Sequence, residues 1–210
     1  MARWQPDAPG RLAAAALDLF EERGYENTTV IEIAECAGLT KSTFFRYFPD
    51  KREVLFGRGA LTGLLVDGIA SAPPEAGPLD TVAHALDTLG RTFFTADRRE
   101  FSARRQAVLN ANTELLEREA LKRTELTTAM ADALTRRGTP SPTARVAAKL
   151  GALVWEIAYD QWIATATDTD TETGADTDTD TDTDTGTGED FGPLTRRALT
   201  AVRATAAAAQ

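Results

Sequence analysis

Five cations crowd one short stretch. Lys41, Arg46, Lys51, Arg52 and Arg58 lie between Thr40 and Arg58 against only Asp50 and Glu53. A local positive surface of this kind is what binding a phosphate backbone requires. Other chemistry is thinly represented. His84 is the single histidine and Cys36 the single cysteine, so no His/Cys metal cluster is expected. No nucleophile motif accompanies His84, and Glu114, Glu117 and Glu119 read as a solvated helix face rather than an acid/base pair. Gly57-Arg58-Gly59 sits inside a helical pattern and is not read as a phosphate-binding loop. The chain is expected not to be an enzyme, and to need no metal or cofactor.

The elements that must position these cations are two short helices. Thr29 can N-cap the first, with Glu32 three residues on in the capping-box arrangement. Val30, Ile33, Ala34 and Ala37 give it one apolar face. Gly38 can take the left-handed conformation that stops the helix, with Leu39 packing back over it. Thr40 can cap a second helix carrying Lys41, Ser42, Thr43, Phe44, Phe45, Arg46, Tyr47 and Phe48, and Pro49 ends it. Helix, glycine turn, helix is the DNA-binding helix-turn-helix pattern, whose second helix enters the major groove. Cys36, between Ala34 and Ala37, is expected to be a small buried packing residue rather than a redox sensor.

Overall charge runs against this reading until it is mapped. The 210 residues carry a net charge of −9, but ten acids lie between Asp168 and Asp190, and without them the remainder stands at +1. That segment, part of the Thr/Asp-rich run 166–190, buries nothing apolar and is expected to be a disordered, solvated insertion. A calcium-binding repeat would need glycine-rich turns that the run lacks. No apolar run is long enough to span a bilayer, no signal-peptide pattern opens the chain, and a cytoplasmic protein without membrane partners is expected.

Periodicity extends the helical pattern through the chain. RLAAAALDLFEER, residues 11–23, forms an amphipathic helix that should brace the two short ones. From Asp50 a fourth helix is expected to run to Ser71, weakened by Gly57, Gly59, Gly63 and Gly68, which either let it bend or permit close packing. Further helices are expected over 79–96, 98–111, 114–137, 143–165 and 193–208. The expected fold is all-α with about nine helices: a DNA-binding domain over 1–52 and a helical domain over 53–210.

The exit of the first helix at Phe20, Gly24 and Tyr25, together with Thr29-Val30, Ile33-Ala34, Ala37-Gly38-Leu39, Thr43, Tyr47-Phe48 and Lys51, resembles the TetR family of transcriptional regulators. The resemblance covers about a quarter of the chain. It implies a homodimeric, all-helical repressor of double-stranded DNA whose C-terminal domain binds a small effector and whose last two long helices form a four-helix dimer bundle. Carried over by position, it implies DNA-binding roles for Thr29, Thr40, Lys41, Ser42, Thr43, Phe45, Arg46, Tyr47 and Lys51. Thr43, Tyr47 and Lys51 would mainly hold phosphates, while Lys41, Ser42 and Arg46 face bases. Phe45 stands where the family often has Tyr, so it would pack on sugar or a thymine methyl. Residues 98–122 resemble the subgroup whose sensor domain takes acyl-CoA-like ligands, although Asn112-Thr113 replaces that subgroup's frequent His-Pro pair. Arg98, Arg99, Arg104 and Arg105 would then meet phosphates, and Phe93, Phe94, Phe101, Trp155, Tyr159 and Trp162 would line an apolar channel. The competing reading is a constitutive architectural DNA-binding protein whose C-terminal domain only dimerises.

Overall fold

The structure, a computed structural model, describes residues 8–57, 59–167 and 189–208. Among these the fold is all-α: α1 (Ala8–Arg23), α2 (Val30–Cys36), α3 (Lys41–Tyr47), α4 (Ala60–Ser71), α5 (Pro78–Phe93), α6 (Ala96–Asn110), α7 (Thr113–Arg136), α8 (Ser141–Thr167) and α9 (Phe191–Ala207), with one 3-10 turn at Arg52–Leu55. No helix among the described residues is long and apolar enough to cross a membrane. The expectation of a solvated Thr/Asp insertion falls mostly on residues 168–188, outside the described residues, as does Arg58 of the basic cluster.

The expected fourth helix from Asp50 does not form as one piece. Gly57 and Gly59 have φ of 65° and 77°, a left-handed conformation that an α-helix cannot contain. The chain therefore makes a 3-10 turn, breaks, and restarts as α4 at Ala60. Gly68 acts differently: a Cβ there would lie 2.8 Å from the Ala85 Cα, so this glycine lets α4 approach α5.

Two compact units result, residues 1–60 with 104–122 and residues 61–103 with 123–210. In the first, α1 packs against α2, α3 and the 3-10 turn. Leu12, Ala16, Leu17 and Phe20 of α1, Ile33 of α2, Phe44 of α3 and Val54 of the turn are buried. Residues 104–122 add Leu109 and Leu115 to the buried set. They also supply cations to Glu53, a carboxylate only 7% exposed, which pairs with Arg118 and, at 3.2 Å, with Lys122. Burying a carboxylate is costly unless opposite charges and hydrogen bonds accompany it.

In the second unit α8 packs on α5 and α9, and α5 on α9. Leu65, Ile69, Val82, Leu86, Leu89, Met130, Leu134, Val154, Trp162, Phe191 and Leu194 form its continuous core. Arg137, just past α7, donates to the carbonyls of Ala70, Ala72 and Pro73 at 3.0, 3.0 and 2.9 Å, which holds the α4–α5 connection.

Candidate nucleic-acid interface

The two short helices are built almost entirely from local bonds. Thr29 has extended backbone, and its hydroxyl accepts from Glu32 N–H at 3.3 Å. The Glu32 carboxylate accepts from Thr29 N–H at 2.8 Å and from the Thr29 hydroxyl at 2.7 Å, completing the capping box. The Thr29 hydroxyl, then its backbone N–H, hold the Glu32 carboxyl below its usual range, with a smaller contribution from Arg23. At the other end Gly38 has φ 63°, Leu39 N–H bonds Ala34 O at 2.8 Å and Gly38 N–H bonds Glu35 O at 2.9 Å. These two bonds are the pattern of a Schellman stop. Arg11 of α1 donates to the carbonyls of Ala37 and Gly38, satisfying helix-end acceptors from a distant part of the chain. A residue-pattern reading gave no signal for that contact, because Arg11 is 26 residues from Ala37.

Thr40 caps α3, accepting from Thr43 N–H at 3.2 Å, and its hydroxyl also meets those of Ser42 at 2.9 Å and Thr43 at 3.0 Å. Phe44 is fully buried and its ring lies 5.6 Å from that of Phe48, so one side of α3 is fastened to the unit. The opposite side projects. Lys41, Ser42, Phe45 and Arg46 are exposed, while Thr43 and Tyr47, one turn apart, are half-buried at its flank. Phe45 is 47% exposed, which leaves a large ring in water. The Lys41 ammonium lies 6.0 Å from the centre of that ring. The Arg46 guanidinium stacks 5.0 Å from the Tyr47 ring centre, which narrows its range of directions.

Lys51 is placed differently from the α3 cations. Its ammonium donates to the carbonyls of Tyr25 at 2.6 Å and Thr28 at 3.1 Å and sits 4.0 Å over the Tyr25 ring. It thereby ties down the loop that leads into Thr29. Cys36, expected to be buried, is exposed, because the inward positions of α2 are Ile33 and Ala34. A helix of only seven residues has room for few inward positions, and Cys36 at its last turn rotates outward.

The second set of candidate residues divides. Phe94, Trp155, Tyr159 and Trp162 gather with Phe191 in the second unit, and Phe93 meets Phe94 at 5.3 Å. Phe101 is half-buried on α6, outside those ring contacts. Arg104 and Arg105 belong to the first unit. Arg104 bonds Asp18 at 2.7 Å and Glu21 at 3.1 Å, partners that push its already high pKa further up. Arg105 donates to Leu55 O at 2.7 Å, faces Glu119 at 3.5 Å and lies 5.1 Å from the Phe56 ring centre.

Comparison with known proteins places residues 12–57 within the family described as bacterial regulatory proteins, tetR family. The HTH-type transcriptional regulator TcmR of Streptomyces glaucescens is 37% identical over 83 residues, which are 39% of this chain and 37% of that protein. The HTH-type transcriptional regulator HbdR of Aromatoleum sp. (strain CIB) is 39% identical over 46 residues, 22% of this chain and 20% of that protein. The chain thus matches well under half the length of these curated relatives. A transcriptional regulator of the TerR/AcrR family from Aquifex aeolicus VF5 shares the fold over 95% of this chain and 99% of its own, with a TM-score of 0.50 and 16% identity.

Proposed function

We propose that this chain, whose residues 12–57 match the tetR family of bacterial regulatory proteins, is a TetR-family homodimeric repressor that binds a palindromic operator and is released by a small hydrophobic or acyl-CoA-like effector. The observation that carries the DNA-binding part is the projecting face of α3, where Lys41, Ser42, Phe45 and Arg46 stand exposed on a helix capped at Thr40 and anchored by Phe44. A short helix fastened on one side and basic on the other is the form that enters a major groove.

In this reading Lys41, Ser42 and Arg46 meet base edges, with Thr40 at the helix start. Phe45 packs on sugar or a thymine methyl. Thr29, Thr43 and Tyr47 hold phosphates. Lys51 acts chiefly by fixing the Tyr25–Thr28 loop, since its ammonium already serves two carbonyls. Domain 1–52 carries these contacts and 53–210 carries dimerisation and effector binding. Dimerisation draws support from α8, where Val146 and Leu153 are 58% and 45% exposed, seven residues apart on one face with Leu150 between them. The effector site draws support from the aromatic cluster of the second unit. The competing reading, a constitutive architectural protein, draws on the closed packing of that same cluster, in which Phe94 and Phe191 stack at 4.4 Å.

The test is selection from a random DNA library followed by footprinting and sedimentation of the complex. A palindromic site bound by two chains supports the proposal. Binding without sequence preference refutes it.

A further inference from the structure

The indole donors of Trp155 and Trp162, inside the second unit, have no acceptor. Trp155 and Trp162 lie two helical turns apart on α8 with Tyr159 between them, so the three side chains share one face. The indole Nε1 of each tryptophan is buried and bonds nothing, although Trp162 as a whole is 0% exposed. Buried indole N–H groups ordinarily find a partner, and two orphans in one cluster call for a cause. Two polar side chains lie beside them. The Tyr159 hydroxyl donates to Ser102 O at 3.3 Å, and the buried Arg99 donates to Glu189 O at 3.0 Å with its guanidinium 5.4 Å from the Trp162 ring centre.

What surrounds the two donors is aromatic. Phe94 stacks on Phe191 at 4.4 Å and meets Trp162, Tyr159 and Trp155 at 5.3, 5.7 and 6.1 Å. We propose that this cluster is the effector site and that its ligand is an aromatic ring system bearing carbonyl-type acceptor oxygens, bonded by the indole N–H groups of Trp155 and Trp162. The inference rests on the effector-released reading above and narrows it.

Three features select this class. An indole N–H only donates, so its partner must bring an acceptor. The rings close on one another, so a guest enters by separating Phe94 from its neighbours. An aromatic guest restores the stacked and edge-on contacts that separation breaks, and an alkyl chain does not. Arg104 and Arg105, two of the four arginines that would meet the phosphates of a coenzyme A, are instead bound to Asp18, Glu21, Leu55 O and Glu119.

The test uses the full-length chain labelled with 15N, whose three tryptophans give three indole N–H resonances. Two matched probes, 2-acetylnaphthalene and 2-ethylnaphthalene, differ by the carbonyl oxygen. The acetyl probe, with one acceptor, is expected to bind about tenfold tighter, the scale of one hydrogen bond, and to move the indole resonance it bonds downfield. Trp155→Phe and Trp162→Phe each keep a ring and lose a donor, and the variant of the bonded indole is expected to abolish that preference. Trp155 is only half-buried, so its variant keeps the test available if Trp162→Phe does not fold. Equal affinity of the two probes overturns the inference, and so do unmoved indole resonances. Cross-relaxation from a buried water to both indoles in the unliganded chain also overturns it, because water would then be their partner. Release of the selected operator is followed in parallel by fluorescence anisotropy. If decanoyl-CoA releases DNA and neither naphthalene binds, the aromatic inference fails while the effector reading stands. If 2-acetylnaphthalene binds with the expected shifts and DNA stays bound, the effector reading fails while the site stands.

Discussion

Arg46 and Lys51 are both basic and five residues apart, yet their surroundings give them different work. Arg46 is exposed and held in direction by the Tyr47 ring, a geometry suited to one base edge. Arg46→Ala is expected to cost about 1–3 kcal/mol of discrimination at one base pair per half-site, measured by competition between operator variants. Similar losses on all sequences would instead make Arg46 a phosphate contact. Lys51 already holds the carbonyls of Tyr25 and Thr28. Lys51→Ala is expected to lower stability by about 1.5–3 kcal/mol, the scale of a hydrogen bond to a charged group. It should weaken all sites alike without flattening the dependence of affinity on salt. An unchanged melting temperature with a flatter salt slope would show that Lys51 touches phosphate directly.

At the scale of elements, α2 and α3 have only seven residues each, too short to persist without their ends being satisfied. The capping box at Thr29–Glu32 is therefore a pH-sensitive part of this helix pair. Glu32 titrates below its ordinary value in the folded chain, so it binds a proton less readily there than in the unfolded chain. Its stabilising effect is complete above the unfolded value of about 4.3 and is lost as pH falls through the folded value. Thermal melts of the parent and Glu32→Gln are expected to differ at pH 7 and to converge toward pH 3. A constant difference would mean that the carboxylate charge is irrelevant to the cap. The split of the expected fourth helix belongs to this scale too. Hydrophobic spacing continues through Gly57 and Gly59, and spacing alone does not report that both take positive φ.

At the scale of the whole molecule, the proposed function calls for two copies and two sites in communication. Leu153→Glu places a charge on the exposed apolar stripe of α8, where an isolated chain tolerates it. It is expected to yield a folded monomer with operator affinity reduced by at least about tenfold, since two half-sites are no longer bound together. Sedimentation and footprinting check this, and a variant that remains dimeric would move the interface elsewhere. The net charge of −9 comes from the ten acids at Asp168–Asp190, without which the chain stands at +1.

What the sequence determined by itself is the part written in short spacings. The caps at Thr29 and Thr40, the stop at Gly38 and the exposed face of α3 all depend on residues within five positions of one another. Local hydrogen bonds and helical geometry suffice to read them. Tertiary structure decided what depends on partners far along the chain. Lys51 meets Tyr25 across 26 residues, Arg104 meets Glu21 across 83, and Tyr159 meets Ser102 across 57. A cation or a ring carries no mark of which distant group will satisfy it. For that reason the sequence could nominate Arg104, Arg105 and Trp162 together, and only packing could assign the arginines to carboxylates and leave the indoles without an acceptor.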